Sequence, residues 1–267
     1  MDAKERDELA VEFAKIACEA GAAIMAIPAE ALAAERKRDG TPVSRADVEA
    51  ERLIRARLYT ILPGVALIAE ESFEAGRHDP APERFLLVDP LDGTREFLSG
   101  HTDFTVNIAL IEGRRAVAGA ICAPALAEVY LGGASAHRAA LGAARAFPGP
   151  DRLTPMKASA VPATDLRAVA SRSHLDAATE RFLHEREVKR LRPTGSSLKF
   201  CFVASGEADV YPRLAPTMEW DTAAGHAILR GAGGCVVGLD GLPLRYGKSD
   251  AGYRNEGFIA WGRRPSV

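Results

Sequence analysis

Residues 85–94 read FLLVDPLDGT, and this stretch decides how the fold and the candidate site are interpreted. A short apolar run that ends abruptly in an acid predicts a buried strand, which here delivers Asp89 to one edge of a sheet. Asp92 follows three residues later, so both carboxylates and the intervening Leu91 carbonyl can turn toward one point. Such a set of oxygens is the ligand shell that Mg²⁺ prefers in proteins. Taken alone, the motif also permits a plainer interpretation, in which Asp92-Gly93 is a turn and Asp89 a cap.

The residues after the second acid add a candidate site for an anion. Gly93 lets backbone N–H groups approach a ligand closely, and a helix or turn that begins there would present further N–H groups. Together with the Thr94 hydroxyl, these donors could hold a phosphate oxygen against a metal ion.

Acids also follow two other elements. The apolar run VALIA at 65–69 precedes Glu70-Glu71, and Asp221 follows Trp220 before an Ala-rich stretch with helical spacing. Taken separately, Asp221 is a candidate helix N-cap and Glu70 a solvated acid. Taken together, four acids that terminate three elements indicate one shared site.

The first half of the chain combines long helices with a run of strands. From Asp7 to about residue 34, apolar residues recur at helical spacing and predict an amphipathic helix. A second helix is predicted to begin near Ser44 or Asp47, where Asp47 could be only its cap, and to end before Pro63. Residues 104–131 alternate apolar runs with breaks, which predicts consecutive antiparallel strands.

The second half has a different pattern. Residues 133–165 are rich in Ala, Pro and Arg, so they are predicted to be irregular and to separate the two halves. Beyond them, the sequence predicts strands at LRAVAS, EVKRL and EADVY, helices at SSLKFCFVASG and WDTAAGHAILRGAGG, and a closing strand at CVVGL. His226, in the second of these helices, is predicted to be a packing residue. We therefore expect a single unit over 1–267, with an α+β subdomain at 1–155 and an α/β subdomain at 156–267.

Composition excludes several classes of protein. The chain has 267 residues, of which 47% are hydrophobic and 26% charged, so a disordered or fibrous chain is excluded. A net charge of -2 gives no general attraction to nucleic acid. The N-terminus is charged from its second residue and no apolar run approaches a membrane span, so a cytoplasmic protein is expected. The four cysteines lie far apart without a CxxC pair, which predicts buried thiols at Cys18, Cys122, Cys201 and Cys235.

Three motifs carry a family resemblance. AEES at 69–72, DPLDGT at 89–94 and WDTAAGH at 220–226 resemble, in this order and spacing, the magnesium-dependent, lithium-sensitive phosphatases of the inositol monophosphatase superfamily. DGTPVSRAD at 39–47, FTVNIALIEG and GSSLKFCFVASGEADVYPR extend the resemblance over essentially the whole chain, to the 3'(2'),5'-bisphosphate nucleotidase branch, the CysQ proteins. The fold that this implies is a layered αβαβα sandwich of the inositol monophosphatase and fructose-1,6-bisphosphatase type. Thr41 and Ser44 stand where Ser and Thr are common in the family, and no expected acid is missing.

The resemblance implies a metal site and a way to activate water. It implies two Mg²⁺ ions and a third, weaker one, held by Glu70, Asp89, the Leu91 carbonyl, Asp92 and Asp221, with Glu70 and Asp89 shared between ions. It also implies that Thr94, paired with Asp47, orients and deprotonates water together with Glu70.

Further substrate contacts are expected from the second half. Ser173-His174 follows a predicted strand, Gly195-Ser196-Ser197 opens a predicted helix close to Lys199, and Arg213 suits a bidentate phosphate contact. Taken alone, these residues could equally be solvated or cap a helix. In the resembling branch, such residues lie close to the bound nucleotide. The predicted substrate-binding set is Glu70, Leu91, Asp92, Gly93, Thr94, Ser173, His174, Ser196, Lys199, Arg213 and Asp221.

The expected activity is hydrolysis of the 3'-phosphate of adenosine 3',5'-bisphosphate, a step of sulfur metabolism. The alternatives are an inositol monophosphatase, histidinol phosphatase or fructose bisphosphatase activity with the same metal chemistry, and a non-catalytic phosphonucleotide sensor. The expected partner is a small phosphorylated molecule and not nucleic acid. Monomer and homodimer both stay open, as does peripheral association with the cytoplasmic face of the inner membrane.

Overall fold

The computed structural model describes residues 1–27, 35–36, 42–74, 76, 82–173 and 175–263. Its helices are α1 (Ala3–Met25), α2 (Arg45–Ile61), α3 (Glu70–Glu74), α4 (Thr94–Leu98), α5 (Ala177–Glu185), α6 (Leu198–Ala204) and α7 (Trp220–Gly231). Single 3₁₀ turns occur at Ala143–Arg145, Pro150–Arg152 and Ser249–Ala251.

The first helix begins earlier and ends earlier than predicted. Asp2 and Glu5 form a capping box, in which each side chain accepts a hydrogen bond from the other's backbone N–H, and this starts α1 at Ala3. The helix ends at Met25, shortly before Pro28, a residue that disfavours helical backbone just ahead of it. The predicted extension is wrong at positions 26 and 27, and its remainder at 28–34 lies outside the described residues. The second helix was predicted correctly, with Ser44 as its N-cap.

A seven-stranded sheet forms the first half. Its strands are β3 (Ala66–Ala69), β4 (Arg84–Asp92), β5 (Thr105–Glu112), β6 (Arg115–Ala123), β7 (Glu128–Gly132), β8 (Ala136–Ala140) and β9 (Thr154–Pro155), after a small antiparallel pair, β1 (Glu35–Arg36) and β2 (Pro42–Val43). They lie in chain order; β3 and β4 are parallel, and all later neighbours are antiparallel. The predicted meander over 104–131 is confirmed. The prediction of irregular structure over 133–165 is wrong at β8 and β9, which extend the meander.

A five-stranded mixed sheet forms the second half. The strands of this half are β10 (Arg167–Ser171), β11 (Arg190–Thr194), β12 (Val210–Arg213), β13 (Thr217–Met218), β14 (Cys235–Gly238), β15 (Arg254–Asn255) and β16 (Phe258–Trp261). The sheet order is β11-β10-β12-β16-β14, while β13 and β15 pair separately. The strand predicted at EVKRL begins and ends three residues later, and the one predicted at EADVY begins three residues later and ends two residues later. At EVKRL, Glu187 has φ +50° and belongs to the turn after α5. The predicted closing strand, β14, is an edge strand, and the chain closes with β16, which lies between β12 and β14.

Helices and sheets alternate in five layers. The helices α1 and α2 pack on the outer face of the seven-stranded sheet, and α6 and α7 lie between the two sheets. Helix α5 covers the outer face of the five-stranded sheet. The predicted αβαβα sandwich is confirmed, whereas the division into subdomains at 155/156 stays a prediction.

All four cysteines are free thiols, as predicted. Three of them are buried, whereas Cys235 is partly exposed, so the prediction of a buried thiol is wrong there. Within the described ranges, no helix has both the length and the apolar character needed to cross a membrane.

Candidate active site

A β-bulge in β4 brings two acids to the same face of the first sheet. Asp89 pairs with Asn107 and Asp92 pairs with Thr105, so three steps along β4 match two steps along β5. In a regular strand, residues three apart face opposite sides. Because the bulge inserts one extra residue, Asp92 returns to the side of Asp89. That side faces the layer of α6 and α7, since the Ser197 hydroxyl contacts both Thr105 and Asn107.

A cleft of about 400 Å³ opens at this edge, between β4, α7 and β12. A cleft of this size accommodates a small-molecule ligand. Ten of the predicted site residues line it, namely Glu70, Asp89, Leu91, Asp92, Gly93, Thr94, Ser196, Lys199, Arg213 and Asp221. The structure thus brings them together, while their individual roles stay predictions.

The electrostatics of the cleft are strongest at Asp92. Burial raises the pKa of Asp92 to about 7, and the negative charge of Asp221 adds to the increase. Lys199, Arg213 and a 3.4 Å hydrogen bond from Asn107 act in the opposite direction without cancelling it. A cation beside Asp92 would favour its ionised form.

Asp221 lies in the first turn of α7 but does not cap it. The N-cap position is held by Glu219, which is fully buried and accepts hydrogen bonds from the backbone N–H groups of Gly247 and Lys248. Asp221 Oδ2 accepts the Met218 N–H at 3.0 Å and a hydrogen bond from the Thr217 hydroxyl. The Oδ1 atom has no hydrogen-bond partner among the described residues, so it can serve a ligand in the cleft.

Thr94 is fixed between two oxygens. Gly93 has φ +91°, a left-handed conformation that glycine adopts without strain, and it starts α4 with Thr94 as the first helical residue. The Thr94 hydroxyl lies 2.9 Å from Asp47 Oδ1 and 3.1 Å from the Leu91 carbonyl. Asp47 Oδ2 accepts hydrogen bonds from the N–H and the hydroxyl of Ser44, both at 2.7 Å. Asp47 is therefore both a capping residue of α2 and the partner of Thr94.

Glu70 reaches the site from the neighbouring strand. It begins α3 directly after β3, which runs parallel to β4 with Ala69 opposite Val88. Glu70 is the residue after Ala69 and Asp89 the residue after Val88, so the two acids lie level with each other at one edge of the sheet.

The predicted metal ligands form an all-oxygen set of four carboxylates and one carbonyl. In the part of the chain that the structure describes, no three His, Cys, Asp or Glu side chains form a compact metal cage. Mg²⁺ does not require one, because it keeps several waters and binds through one or two carboxylates together with substrate phosphates. The residues present therefore fit Mg²⁺. They do not fit a structural Zn²⁺ site, which takes Cys and His ligands.

Lys199 lines the same cleft from α6. It is buried in α6, and its Nζ donates to the carbonyls of Thr194, at 3.1 Å, and Ser196. Burial lowers the pKa of Lys199 to about 8, while the negative charge of Asp92 acts in the opposite direction. The ammonium group therefore faces an acidic wall and is still cationic at neutral pH.

Arg213 adds a second positive charge. One of its terminal nitrogens lies 3.3 Å from the Pro216 carbonyl, and its buried Nε has no hydrogen-bond partner among the residues that the structure covers. Burial acts to lower the pKa of Arg213, but Tyr211, Asp221 and Asp92 together raise it. A guanidinium with an unused buried donor suits an anionic ligand.

The Gly195-Ser196-Ser197 turn is anchored to the first sheet. The Gly195 N–H donates to Asp103 Oδ2 at 2.5 Å, and a Cβ atom at Gly195 would lie 2.7 Å from the Asp103 carbonyl oxygen. Ser196 has φ +47°, and the Ser197 hydroxyl donates to Asn107 Oδ1 at 2.7 Å. Both halves of the chain therefore determine the position of this turn.

Two predicted substrate residues lie at the rim or beyond the described chain. Ser173 is exposed and does not line the cleft, but its hydroxyl donates at 2.7 Å to Glu96, which does. His174 lies outside the described residues, as does Thr41.

Sequence reasoning missed three residues that organise the site: Asn107, Asp103 and Glu96. Each is at least nine-tenths buried and makes the contacts given above. A usable signal existed for Asn107, because a single amide inside the apolar run FTVNIALIE is unusual in a strand buried on both faces.

Comparisons with known proteins find similarity over most of the chain. The model of the inositol monophosphatase family matches residues 2–261. The curated 3'(2'),5'-bisphosphate nucleotidase CysQ of Salmonella typhimurium is 37% identical over 250 residues, which cover 92% of this chain and 97% of that protein. CysQ of Escherichia coli strain K12 is 38% identical over 226 residues, covering 83% and 86% of the two chains.

Solved structures show the same fold. CysQ from Bacteroides thetaiotaomicron, a bacterial member of the inositol monophosphatase family, superposes with a TM-score of 0.78 at 33% identity and covers 97% of this chain and 98% of that one. The Thermotoga maritima IMPase superposes with a TM-score of 0.73 at 24% identity, covering 96% and 92% of the two chains. The second similarity concerns the fold alone.

Proposed function

The chain belongs to the inositol monophosphatase family, and on that premise we propose that it hydrolyses the 3'-phosphate of adenosine 3',5'-bisphosphate to AMP and phosphate. It is a metal-dependent phosphomonoesterase that uses Mg²⁺, two ions with a third, weaker one. The observation that carries this function is the pairing of two walls in one cleft: acids around Asp92 and Asp221 face the cations Lys199 and Arg213.

The acidic wall would hold the metal ions. Glu70, Asp89, the Leu91 carbonyl, Asp92 and Asp221 would be the ligands. When bound, Mg²⁺ lowers the pKa of water and stabilises the charge that develops on the phosphoryl group and the leaving oxygen.

The residues around Thr94 would prepare the attacking water. Because the Thr94 hydroxyl donates its hydrogen to Asp47 Oδ1, the Thr94 oxygen is left to accept a hydrogen bond from that water and to orient it. Glu70 and the Thr94–Asp47 pair take up the proton that the water loses as its oxygen bonds to phosphorus. The bond from phosphorus to the 3'-oxygen breaks, that oxygen takes up a proton from a solvent water, and AMP leaves with a hydroxyl at that position while the proton held by the protein groups passes to solvent.

The basic wall would select a substrate that carries two phosphates. Lys199 and Arg213 line the same cleft as the acids and suit the phosphate that is not hydrolysed. Ser173, His174 and Ser196 are assigned to the nucleoside side of the site. An inositol monophosphate carries no second phosphate for this wall.

A panel of substrates tests the function. Phosphate release with Mg²⁺ is measured side by side on adenosine 3',5'-bisphosphate, inositol 1-phosphate, histidinol phosphate and fructose 1,6-bisphosphate, and the four are ranked by kcat/KM. A clear lead for the nucleotide is expected, together with loss of activity in EDTA and inhibition by lithium at concentrations where sodium has no effect.

Two other outcomes would contradict the proposal. A lead for inositol phosphate, histidinol phosphate or fructose bisphosphate would keep the metal chemistry and remove the nucleotide assignment. No release from any substrate, with tight binding of the nucleotide in calorimetry, would indicate a sensor instead of an enzyme.

A further inference from the structure

Glu51 has an acid's charge but almost no exposure to solvent. It lies on α2, one helical turn after Asp47, and 6% of its surface is exposed. Its Oε2 accepts the backbone N–H groups of Glu71 at 2.9 Å and Ser72 at 3.2 Å, and its Oε1 accepts the Ser72 hydroxyl. Three donors from one short segment therefore converge on this carboxylate.

The segment that Glu51 holds is the first turn of α3, which begins at Glu70. The first N–H groups of a helix have no partner inside it, and a capping side chain usually comes from the residue just before the helix. Here the acceptor comes from another helix, 20 residues earlier in the chain. The backbone on the C-terminal side of Glu70 is thus tied to α2.

Arg55 completes the arrangement one turn further along α2. Its Nη2 lies 2.7 Å from the Ser72 hydroxyl oxygen and 3.4 Å from Glu51 Oε1. It supplies the positive charge that a buried carboxylate needs. Asp47, Glu51 and Arg55 therefore occupy successive turns of one face of α2.

We propose that Glu51 is a positioning residue for Glu70, and that α2 sets the distance between the two groups that prepare the attacking water. Through Asp47 the helix holds Thr94, and through Glu51 it holds the turn that presents Glu70. The role of Glu70 in this inference rests on the proposed function. A rigid helix that carries both supports keeps both groups in register with the substrate phosphorus.

Three variants separate positioning from charge and from stability. Glu51→Ala removes all three acceptor contacts. Glu51→Gln keeps one acceptor oxygen for the two N–H groups, removes the charge and replaces the oxygen that accepts the Ser72 hydroxyl with an NH2 group. Glu49→Gln is the matched control on the same helix, because Glu49 is 40% exposed and pairs with Arg45 on the surface.

The expected results follow from the contacts. Glu51→Ala lowers kcat about 10- to 100-fold, the range found when a group supporting a metal ligand is lost, while KM for the nucleotide changes less than threefold. Calorimetric titration with Mg²⁺ alone shows binding weakened by about tenfold. Glu51→Gln recovers most of kcat, and Glu49→Gln equals wild type.

Amide hydrogen exchange reports on the support directly and needs no activity. In Glu51→Ala, the Glu71 and Ser72 amides exchange at least tenfold faster, while amides in the middle of α2 keep their protection. If wild type releases no phosphate at all, the proposed function fails, and exchange together with Mg²⁺ binding still tests the role of Glu51. Unchanged exchange and Mg²⁺ binding in Glu51→Ala, or a Glu51→Gln variant as impaired as Glu51→Ala, would overturn the proposal.

Discussion

The Thr94 hydroxyl lies 2.9 Å from one carboxylate oxygen of Asp47, while the other oxygen of Asp47 caps the helix that carries it. The two atoms of one carboxylate thus serve two purposes. Oδ1 supports the candidate catalytic centre, and Oδ2 stabilises the start of α2 through Ser44.

Thr94→Val should separate the first purpose from the second. Valine has nearly the same shape but no hydroxyl, so it removes the water-orienting oxygen and leaves the cap intact. We expect kcat to fall about 100-fold or more, with little change in the free energy of unfolding. The matched variant, Ser44→Ala, should lower that free energy by about 1 kcal/mol and leave kcat within twofold. Wild-type turnover by Thr94→Val in the same phosphate-release assay would remove Thr94 from the mechanism.

Asp92→Asn should abolish turnover and stabilise the metal-free protein. The pKa of Asp92 is raised to about 7 by burial and by Asp221, so its ionised form destabilises the folded state. That penalty is absent below the ordinary pKa near 4 and grows until about pH 7. In EDTA at pH 7.5, the Asn variant should therefore gain about 1 kcal/mol or more, equivalent to about 2–4 °C in Tm.

The stabilisation by Asp92→Asn should vanish as the pH falls to about 3, where wild-type Asp92 is largely protonated in both the folded and the unfolded state. Adding Mg²⁺ should raise the Tm of wild type and not that of the variant. Thermal unfolding at both pH values, with and without Mg²⁺, makes these comparisons. Normal turnover by Asp92→Asn would remove Asp92 from the predicted metal site.

Local patterns in the sequence were enough to find the acids of the site and most of its elements. An apolar run that stops at an acid marks Asp89 and Glu70 without any knowledge of the fold. The same pattern does not reveal the bulge, because the apolar run ends at Val88 while the strand continues to Asp92. Only the pairing with β5 shows that Asp89 and Asp92 face the same side.

Contacts between distant parts of the chain could not be predicted. Nothing near Asn107 indicates that it would contact Asp92, and Glu51 looks like any charged helical residue until Ser72 is placed beside it. The strand β16 was missed for a related reason. It is a four-residue apolar run after a turn-rich segment, and such a run has too little periodicity to identify it as an interior strand of a sheet.

Lys199→Ala should change substrate preference more than catalysis. If Lys199 contacts the second phosphate, its loss should raise KM for adenosine 3',5'-bisphosphate about 10- to 100-fold, the range for a charged hydrogen bond. KM for a small monophosphate should stay within threefold. Lys189→Ala, on the exposed chain before β11, is the control and should match wild type on both substrates. Equal effects of Lys199→Ala on both substrates would show that Lys199 acts through the carbonyls it holds and not through the nucleotide.

His226 should make the protein less stable as the pH falls. Its ring is buried in α7 with Nδ1 2.9 Å from the Tyr246 hydroxyl, as expected of a packing residue. Burial, followed by the charges of Arg230 and Arg245, lowers the pKa of His226 to about 3. The unfolded chain takes up a proton near pH 6.5 and the folded chain does not, so stability is lost as the pH falls below 6.5.

Between pH 7.5 and pH 5.0, this difference amounts to about 2 kcal/mol. Urea unfolding of the metal-free protein at the two pH values measures the free energy of unfolding. Between pH 7.5 and pH 5.0, wild type should lose about 2 kcal/mol more of it than His226→Asn loses. The exposed His184 is the control, since His184→Gln should keep the full loss. Because carboxylates titrate in both proteins, only the difference between wild type and variant measures His226. A variant that loses as much stability as wild type would mean that His226 can take up a proton in the folded state.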